Sequence, residues 1–247
     1  MSKEVNESIY GLRPVIEAIK SGKQIDKILI KQGLSGELVG ELFALLKEKN
    51  IHFQFVPGER FAKFGNRNHQ GVVASVIPIE LVDLEMLVPT LFESGKIPFI
   101  LILDRVTDVR NFGAIVRTAE CAGVDAIAVP AKGAAQIGSD SIKTSAGALH
   151  HVPICRVGSL KMTLNFLKQS GFKVVITADK GSELLYDIDL TGPLAIVMGA
   201  EDTGVSPDLY KFADNLIRIP MKGQIGSLNV SVASGIVMYE VVRQRGL

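Results

Sequence analysis

From residue 98 to the C-terminus, short apolar and β-branched runs recur, separated by stretches with helical periodicity. The runs are FILILD, DAIAVP, VPICRV, KVVITA, LAIVMG and NLIRIP; the helical stretches include NFGAIVRTAECAG, SLKMTLNFLKQSG and SLNVSVASGIVMYEVVRQR. A strand that is apolar at nearly every position has no face suited to water, so both faces of its sheet must be covered. Alternation of such strands with helices predicts an α/β fold, a mostly parallel sheet with helices on both sides.

Residues 1–76 alternate shorter patterns, PVIEAIK, DKILIK, ELVGELFALLKEKN, IHFQFV, PGERFAKF and GVVASVIP, which predict a second, smaller α/β module. Between the two lies PIELVDLEMLVPTLFESGKI, with breaks at Pro78, Pro89 and Gly95 around a short amphipathic segment. Residues 77–97 therefore read as a linker, with the boundary near residue 80. The whole chain has 247 residues, 47% of them hydrophobic, enough for a sizeable core in one or two domains. Neither an internal repeat nor a low-complexity tract occurs.

Charge separates the halves weakly. Residues 1–76 hold 11 Lys and Arg against 8 Asp and Glu, a net +3, and the remainder is net −2. An anionic partner would meet a local patch, not a globally basic surface. Cys121 and Cys155 are too few for a disulfide framework and are not spaced as a metal site, so both are expected as buried, reduced thiols and no metal is expected. The opening MSKEVNESIYG has no apolar stretch after its charges, and no run reaches about eighteen apolar residues, so no membrane partner and a cytoplasmic location are expected.

Several chemistries lack their motifs. There is no G-x-x-x-x-G-K-[ST] phosphate loop, and no strand is followed by G-x-G-x-x-G. His150 and His151 are adjacent and point apart on either a helix or a strand, which makes a shared metal a poor reading. His69, in RNRNHQG beside Arg67 and amide side chains, suits an RNA-contact loop or a solvated turn.

Three stretches carry more. In NFGAIVR, Phe112, Ile115, Val116 and Ala119 form a core stripe at helical spacing, leaving Gly113, Arg117 and Glu120 on another face. Gly113, lacking a side chain one turn before Arg117, leaves room for something to approach the backbone beneath the guanidinium; the plain alternative is a solvated Arg117–Glu120 pair. In LAIVMGAEDTGVSPDL, a strand ends at Met198, and a loop with Gly199, Glu201 and Gly204 leads to Ser206 and Pro207, an N-cap and first helical position. Ligands of open parallel sheets gather at such carboxyl ends of strands. In IRIPMKGQIGSLNVSVASGIVMYE, a glycine-containing loop precedes a helix expected to be capped by Ser227 and uncharged until Glu240, which predicts burial. Ser227, Asn229 and Ser231 cluster at its N-terminus, where backbone donors and the positive dipole end await a partner.

Taken together, Asn111, Gly113 and Arg117 as N-x-G-x-x-x-R, Gly199, Glu201, Gly204 and Ser206 as G-x-E-x-x-G-x-S, and IPM-x-G-x-x-x-SLNVSVA from Ile219 to Ala233 resemble the three motifs of the SpoU (SPOUT) methyltransferases. The N-terminal YGLRPVIEAI and NHQGVVA resemble the ribosomal-protein-like RNA-binding domain of the branch that methylates guanosine 2′-O in 23S ribosomal RNA. The resemblance implies residues 1–76 as an RNA substrate-binding domain and residues 98–247 as a methyltransferase domain with a deep trefoil knot. It implies S-adenosylmethionine as cofactor, a homodimer, and RNA, not DNA, as partner.

Carried over position by position, the resemblance makes Arg117 the catalytic arginine, with Asn111, Glu201, Ser227 and Asn229 shaping the reaction centre. It assigns Met198, Gly199, Ile219, Met221, Ser227 and Leu228 to the cofactor. Candidate RNA contacts are Arg13, Lys63, Arg67, His69 and Arg110, the last standing where many relatives have histidine or proline. The alternatives are the same chemistry on transfer RNA or another ribosomal nucleotide, and a non-catalytic RNA-binding or ribosome-assembly factor.

Overall fold

The computed structural model describes residues 8–246 apart from 50, 78, 180 and 225; the opening charges before Ser8 and the Pro78 break lie outside the described residues. The chain forms two compact units, one of residues up to Glu80 together with Ile137–Ser139, the other of the remainder from Leu81 onward.

The first unit runs β1 (Ser8–Tyr10), α1 (Leu12–Lys20), β2 (Ile25–Lys31), α2 (Glu37–Glu48), β3 (Phe53–Val56), a 3-10 helix over Gly58–Phe64, and β4 (Val72–Val76). Its sheet has the order β1-β4-β2-β3, with β2 and β3 parallel and the other pairs antiparallel. One face, through Ile28, Ile30, Val72 and Ala74, packs against Val15, Ile16 and Ile19 of α1 and Leu42 and Leu46 of α2. The other face carries a small cluster of Val56, Phe61 and Val73 with Tyr10, Leu29 and Phe64.

The second unit begins with α3 (Leu84–Glu93), then β5 (Phe99–Leu103), α4 (Val109–Cys121), β6 (Ala126–Pro130), α5 (Ser139–Thr144), β7 (Ile154–Val157), α6 (Leu160–Gln169) and β8 (Lys173–Thr177). It continues with β9 (Glu183–Leu184), β10 (Leu194–Met198), a 3-10 helix over Pro207–Phe212, β11 (Asn215–Arg218) and α7 (Val230–Gln244). All seven strands are parallel, in the order β7-β6-β5-β10-β8-β11-β9. This is the mostly parallel α/β sheet that the apolar runs predict, and only the two-residue β9 has no run of its own. Ile100 and Ile102 of β5 and Ala195 and Val197 of β10 face a core shared with α3, α6 and Leu209. The alternate residues Phe99, Leu101 and Leu103 are equally buried, as pleating requires of a two-sided sheet. The helices α4 and α7 pack on each other.

The stretch read as a linker is instead partly helical and belongs to the core of the second unit. Asp83 caps α3 by accepting from Glu85 N at 2.8 Å, and the helix runs on through Pro89. A proline in a helix interior costs about 3 kcal/mol. Leu84, Val88 and Leu91 are all buried, and at roughly 1.5–3 kcal/mol each their burial outweighs that cost.

Candidate active site

The carboxyl ends of β8, β10 and β11 open onto a cavity of about 370 Å³. Met198, Gly199, Ile219, Met221, Ser227 and Leu228, the six residues expected at the cofactor, all line it. Among the described residues its charged lining is Asp179, Glu201 and Arg218, and the Arg218 guanidinium is turned to donate to Gly181 O. Asp179 carries no motif of its own; the available signal in the sequence is an acid directly after the apolar run KVVITA.

At the edge of the cavity three side chains close a hydrogen-bonded triangle. Asn111 Nδ2 donates to Glu201 Oε2 at 3.0 Å, and Asn229 Nδ2 donates both to Asn111 Oδ1 at 3.0 Å and to Glu201 Oε1 at 3.1 Å. Asn229 is also the N-cap of α7: its Oδ1 accepts from Ser231 N at 3.0 Å and Ser231 Oγ at 2.5 Å, which orients its amide nitrogen toward Glu201. The expected cap, Ser227, lies two residues upstream in the exposed loop that lines the cavity. Asn111 is held in the first turn of α4, whose cap Asp108 accepts from Arg110 N at 2.7 Å and Asn111 N at 2.9 Å. Residues 118 positions apart thus meet because two helix N-termini and the end of β10 converge there.

The loop carrying Glu201 is tightly drawn. Ala200 and Gly204 exchange backbone hydrogen bonds at 3.2 and 2.9 Å, and Gly204 has φ +63°. A Cβ on Gly199 would lie 2.1 Å from Gly204 C and Val205 N, so the loop closes over a position only glycine fits. Ser206 precedes a 3-10 helix and makes no side-chain cap; its hydroxyl donates instead to Asp104 Oδ2 at 2.6 Å. An αL conformation at Arg105, φ +57°, costs roughly 1–2 kcal/mol for a residue with a Cβ. Arg105 recovers contacts in return, pairing with Asp104 at 3.3 Å and donating to Gly204 O at 3.1 Å.

Arg117 stands six residues after Asn111 on α4, about 9 Å along the helix axis. It is exposed, its side chain makes no hydrogen bond or ion pair among the described residues, and it lies outside the cavity lining. The space at Gly113 is not left for a ligand: Thr144 of α5 fills it, and a Cβ there would lie 1.9 Å from Thr144 Oγ1. That glycine serves the approach of α5 to α4, a contact no spacing within NFGAIVR could reveal.

The helix α7 is also less buried than its lack of charge suggests. Val232 and Tyr239, seven residues apart and so on one face, are each 51% exposed, while Ser234, Val237, Met238 and Val241 are buried. Among the thiols, Cys155 is buried as expected but Cys121, at the end of α4, is exposed. No group of three or more His, Cys, Asp or Glu among the described residues is arranged to hold a metal.

Three of the four candidate RNA contacts of the first unit, Lys63, Arg67 and His69, lie against aromatic rings. The Arg67 guanidinium lies 4.7 Å over the Tyr10 ring and donates to its hydroxyl, and Lys63 Nζ lies 4.9 Å over Phe64. The His69 ring stacks on Phe61 at 4.8 Å and its Nδ1 accepts from Gly71 N at 3.0 Å, so only its Nε2 edge is left for a partner. Arg13 is exposed in the first turn of α1, and Arg110 is exposed in the first turn of α4 in the second unit.

Comparison with known proteins agrees in both units. Residues 98–239 match the SpoU rRNA Methylase family, and residues 8–82 match the RNA 2′-O ribose methyltransferase substrate binding family. A Bacillus subtilis protein, YacO, named as a TrmH family tRNA/rRNA methyltransferase, is 35% identical over 240 residues, covering 97% of this chain and 96% of its own. The crystal structure of the SpoU methyltransferase AviRb from Streptomyces viridochromogenes with AdoMet superposes with a TM-score of 0.61 at 26% identity, covering 96% of this chain and 90% of AviRb. An AdoMet-bound rRNA methyltransferase from Sinorhizobium meliloti gives 0.62 at 27% identity, covering 96% and 86%.

Proposed function

We propose, from the premise that this chain belongs to the SpoU rRNA methylase family and is an RNA methyltransferase of that kind, that it methylates the ribose 2′-hydroxyl of a guanosine in 23S ribosomal RNA. The observation that carries the reading is the Asn111–Glu201–Asn229 triangle at the mouth of a cavity bounded by all six expected cofactor residues.

The cavity suits S-adenosylmethionine in size and chemistry. About 370 Å³ lies in the range of small-molecule sites, and two carboxylates, Asp179 and Glu201, face a cofactor that carries a sulfonium and an ammonium. Gly199 keeps the loop backbone close to the ligand space, where a side chain would have to displace it. When bound, the cofactor supplies the electrophilic methyl group. Ile219 and Leu228 offer apolar walls and backbone groups, and Asn111 and Asn229 hold Glu201 in one orientation, so that the acceptor oxygen is presented in line.

Arg117 then serves as a clamp on the RNA phosphate next to the acceptor ribose. A guanidinium stays protonated near neutral pH, so phosphate binding suits it better than proton abstraction, and proton loss is late or phosphate-assisted. Its distance along α4 from the triangle supports a homodimer in which a second copy completes the site, and the exposed Val232–Tyr239 face of α7 supports an apolar contact. A trefoil knot around the third motif and a cytoplasmic location belong to the same reading. The first unit selects the RNA through Arg13, Lys63, Arg67 and His69, and the 2′-hydroxyl target itself distinguishes RNA from DNA.

The test is transfer of labelled methyl from S-adenosylmethionine to unmodified large-subunit ribosomal RNA and, separately, to transfer RNA, with Arg117→Ala alongside and the nucleoside identified by mass. Label in ribosomal 2′-O-methylguanosine, lost in Arg117→Ala, is expected. Label confined to transfer RNA would replace the proposed substrate.

A further inference from the structure

Asp104 and Arg105 follow β5 and belong neither to the triangle nor to the cavity lining. Asp104 is 3% exposed, a buried carboxylate with no part in the scheme above. Its Oδ2 accepts from Ser206 N at 2.7 Å and from Ser206 Oγ at 2.6 Å, and its own N–H donates to Met198 O at 2.8 Å. Arg105 folds back in a left-handed conformation to reach both Asp104 and Gly204 O.

These contacts end on one segment. Met198 leads into the loop, and Gly204 and Ser206 close it, while Glu201 at its tip is held from the far side by Asn111 and Asn229. Between root and tip the Ala200–Gly204 bridge and the contact of Gly199 with Gly204 leave little freedom. The loop is therefore a stiff hoop fixed at two places. Releasing the root displaces the Gly199 backbone and the Glu201 carboxylate together.

We propose that Asp104 and Arg105 are a positioning pair that sets the Gly199–Ser206 loop, and through it the cofactor affinity and the alignment of Glu201. The inference rests on the cavity being the S-adenosylmethionine site. The Asp104 carboxylate acts through Ser206 and Arg105, and Arg105 through Gly204, much as the partners of a metal ligand orient it without touching the metal. Loss of such partners costs 10- to 100-fold.

The experiment compares the full-length protein with Ser206→Ala, Ser206→Thr, Arg105→Ala and Asp104→Asn. Amide hydrogen exchange is read over residues 199–206 without cofactor, and S-adenosylmethionine affinity by calorimetry. Ser206→Ala and Asp104→Asn are expected to speed exchange in the loop about tenfold, with β5 and β10 unchanged, and to weaken cofactor binding 10- to 100-fold. Ser206→Thr, which keeps the hydroxyl donor, is expected to restore both, a rescue that bulk destabilisation would not show. Where Asp104→Asn does not fold, Ser206→Ala and Arg105→Ala decide, since each removes one arm and leaves the carboxylate partnered. Loop exchange equal to wild type in both overturns the proposal even if cofactor binding is weakened. A wild-type protein that binds no S-adenosylmethionine refutes the cofactor reading instead, and the exchange data, measured without cofactor, still decide whether Asp104 and Arg105 set the loop.

Discussion

Replacing Gly113 by alanine sets two magnitudes against each other. Inside α4, alanine is favoured over glycine by about 1 kcal/mol on helix propensity alone. Against this, the new Cβ would lie 1.9 Å from Thr144 Oγ1, 2.6 Å from Thr144 Cβ and 2.9 Å from Thr144 C. Rotating the threonine side chain relieves only the first of these contacts, so the α5 backbone must also withdraw by about 0.9–1.4 Å to bring Thr144 Cβ to ordinary separation. Overpacking of that kind costs about 1–3 kcal/mol. The bond from Thr144 Oγ1 to Val109 O, 3.2 Å long, is lost as well, at about 1 kcal/mol. The clash wins, and Gly113→Ala is expected to be about 1–3 kcal/mol less stable, equivalent to a thermal midpoint about 2–12 °C lower in a chain of this size. Gly235→Ala in α7 is the control: its Cβ would meet only Thr118 Cγ2 at 3.7 Å, ordinary contact, so propensity should decide and raise stability by up to about 1 kcal/mol. Urea unfolding followed by circular dichroism reads both. Gly113→Ala as stable as wild type, or the two variants shifting in the same direction, would refute the packing reasoning.

Asn229→Asp keeps an N-cap for α7 but puts a carboxylate against Glu201 Oε1, where an amide now donates at 3.1 Å; methyl transfer should fall about 100-fold with helix content unchanged, measured by initial rates and circular dichroism. Burial pushes the Cys155 thiol up to about 12, so the native protein should take one equivalent of a thiol reagent at pH 8, at exposed Cys121, and two after denaturation, counted by mass. The bonds from Arg243, then Gln244, hold the Glu240 carboxyl below its ordinary 4.5. A depressed acid stabilises the fold above its unfolded value and loses that contribution as pH falls through its folded one. Glu240→Gln should therefore cost about 1–2 kcal/mol at pH 7, and the gap between the urea midpoints of variant and wild type should narrow as pH falls below 4.5.

Much of this protein was legible in its amino acids because the relevant signals are local. Six of the seven strands of the large sheet announce themselves as apolar runs, since strands covered on both faces are largely apolar. The core stripe of α4 follows from helical spacing, and Phe112, Ile115, Val116 and Ala119 are buried as it requires. The three motifs named Asn111, Glu201 and Asn229 in separate stretches, but nothing in those stretches says that they meet. Only the parallel sheet, by bringing the end of β10 beside two helix N-termini, turns them into one triangle. The misreadings have the same origin. Pro89 breaks a helix only when nothing else holds it, Gly113 makes room for whatever element the fold delivers, and the absence of charge on α7 does not say which of its faces another chain segment covers. Periodicity records how a residue faces its neighbours in sequence; which partner stands opposite is decided by packing between distant elements, and that information exists only once the chain has closed on itself.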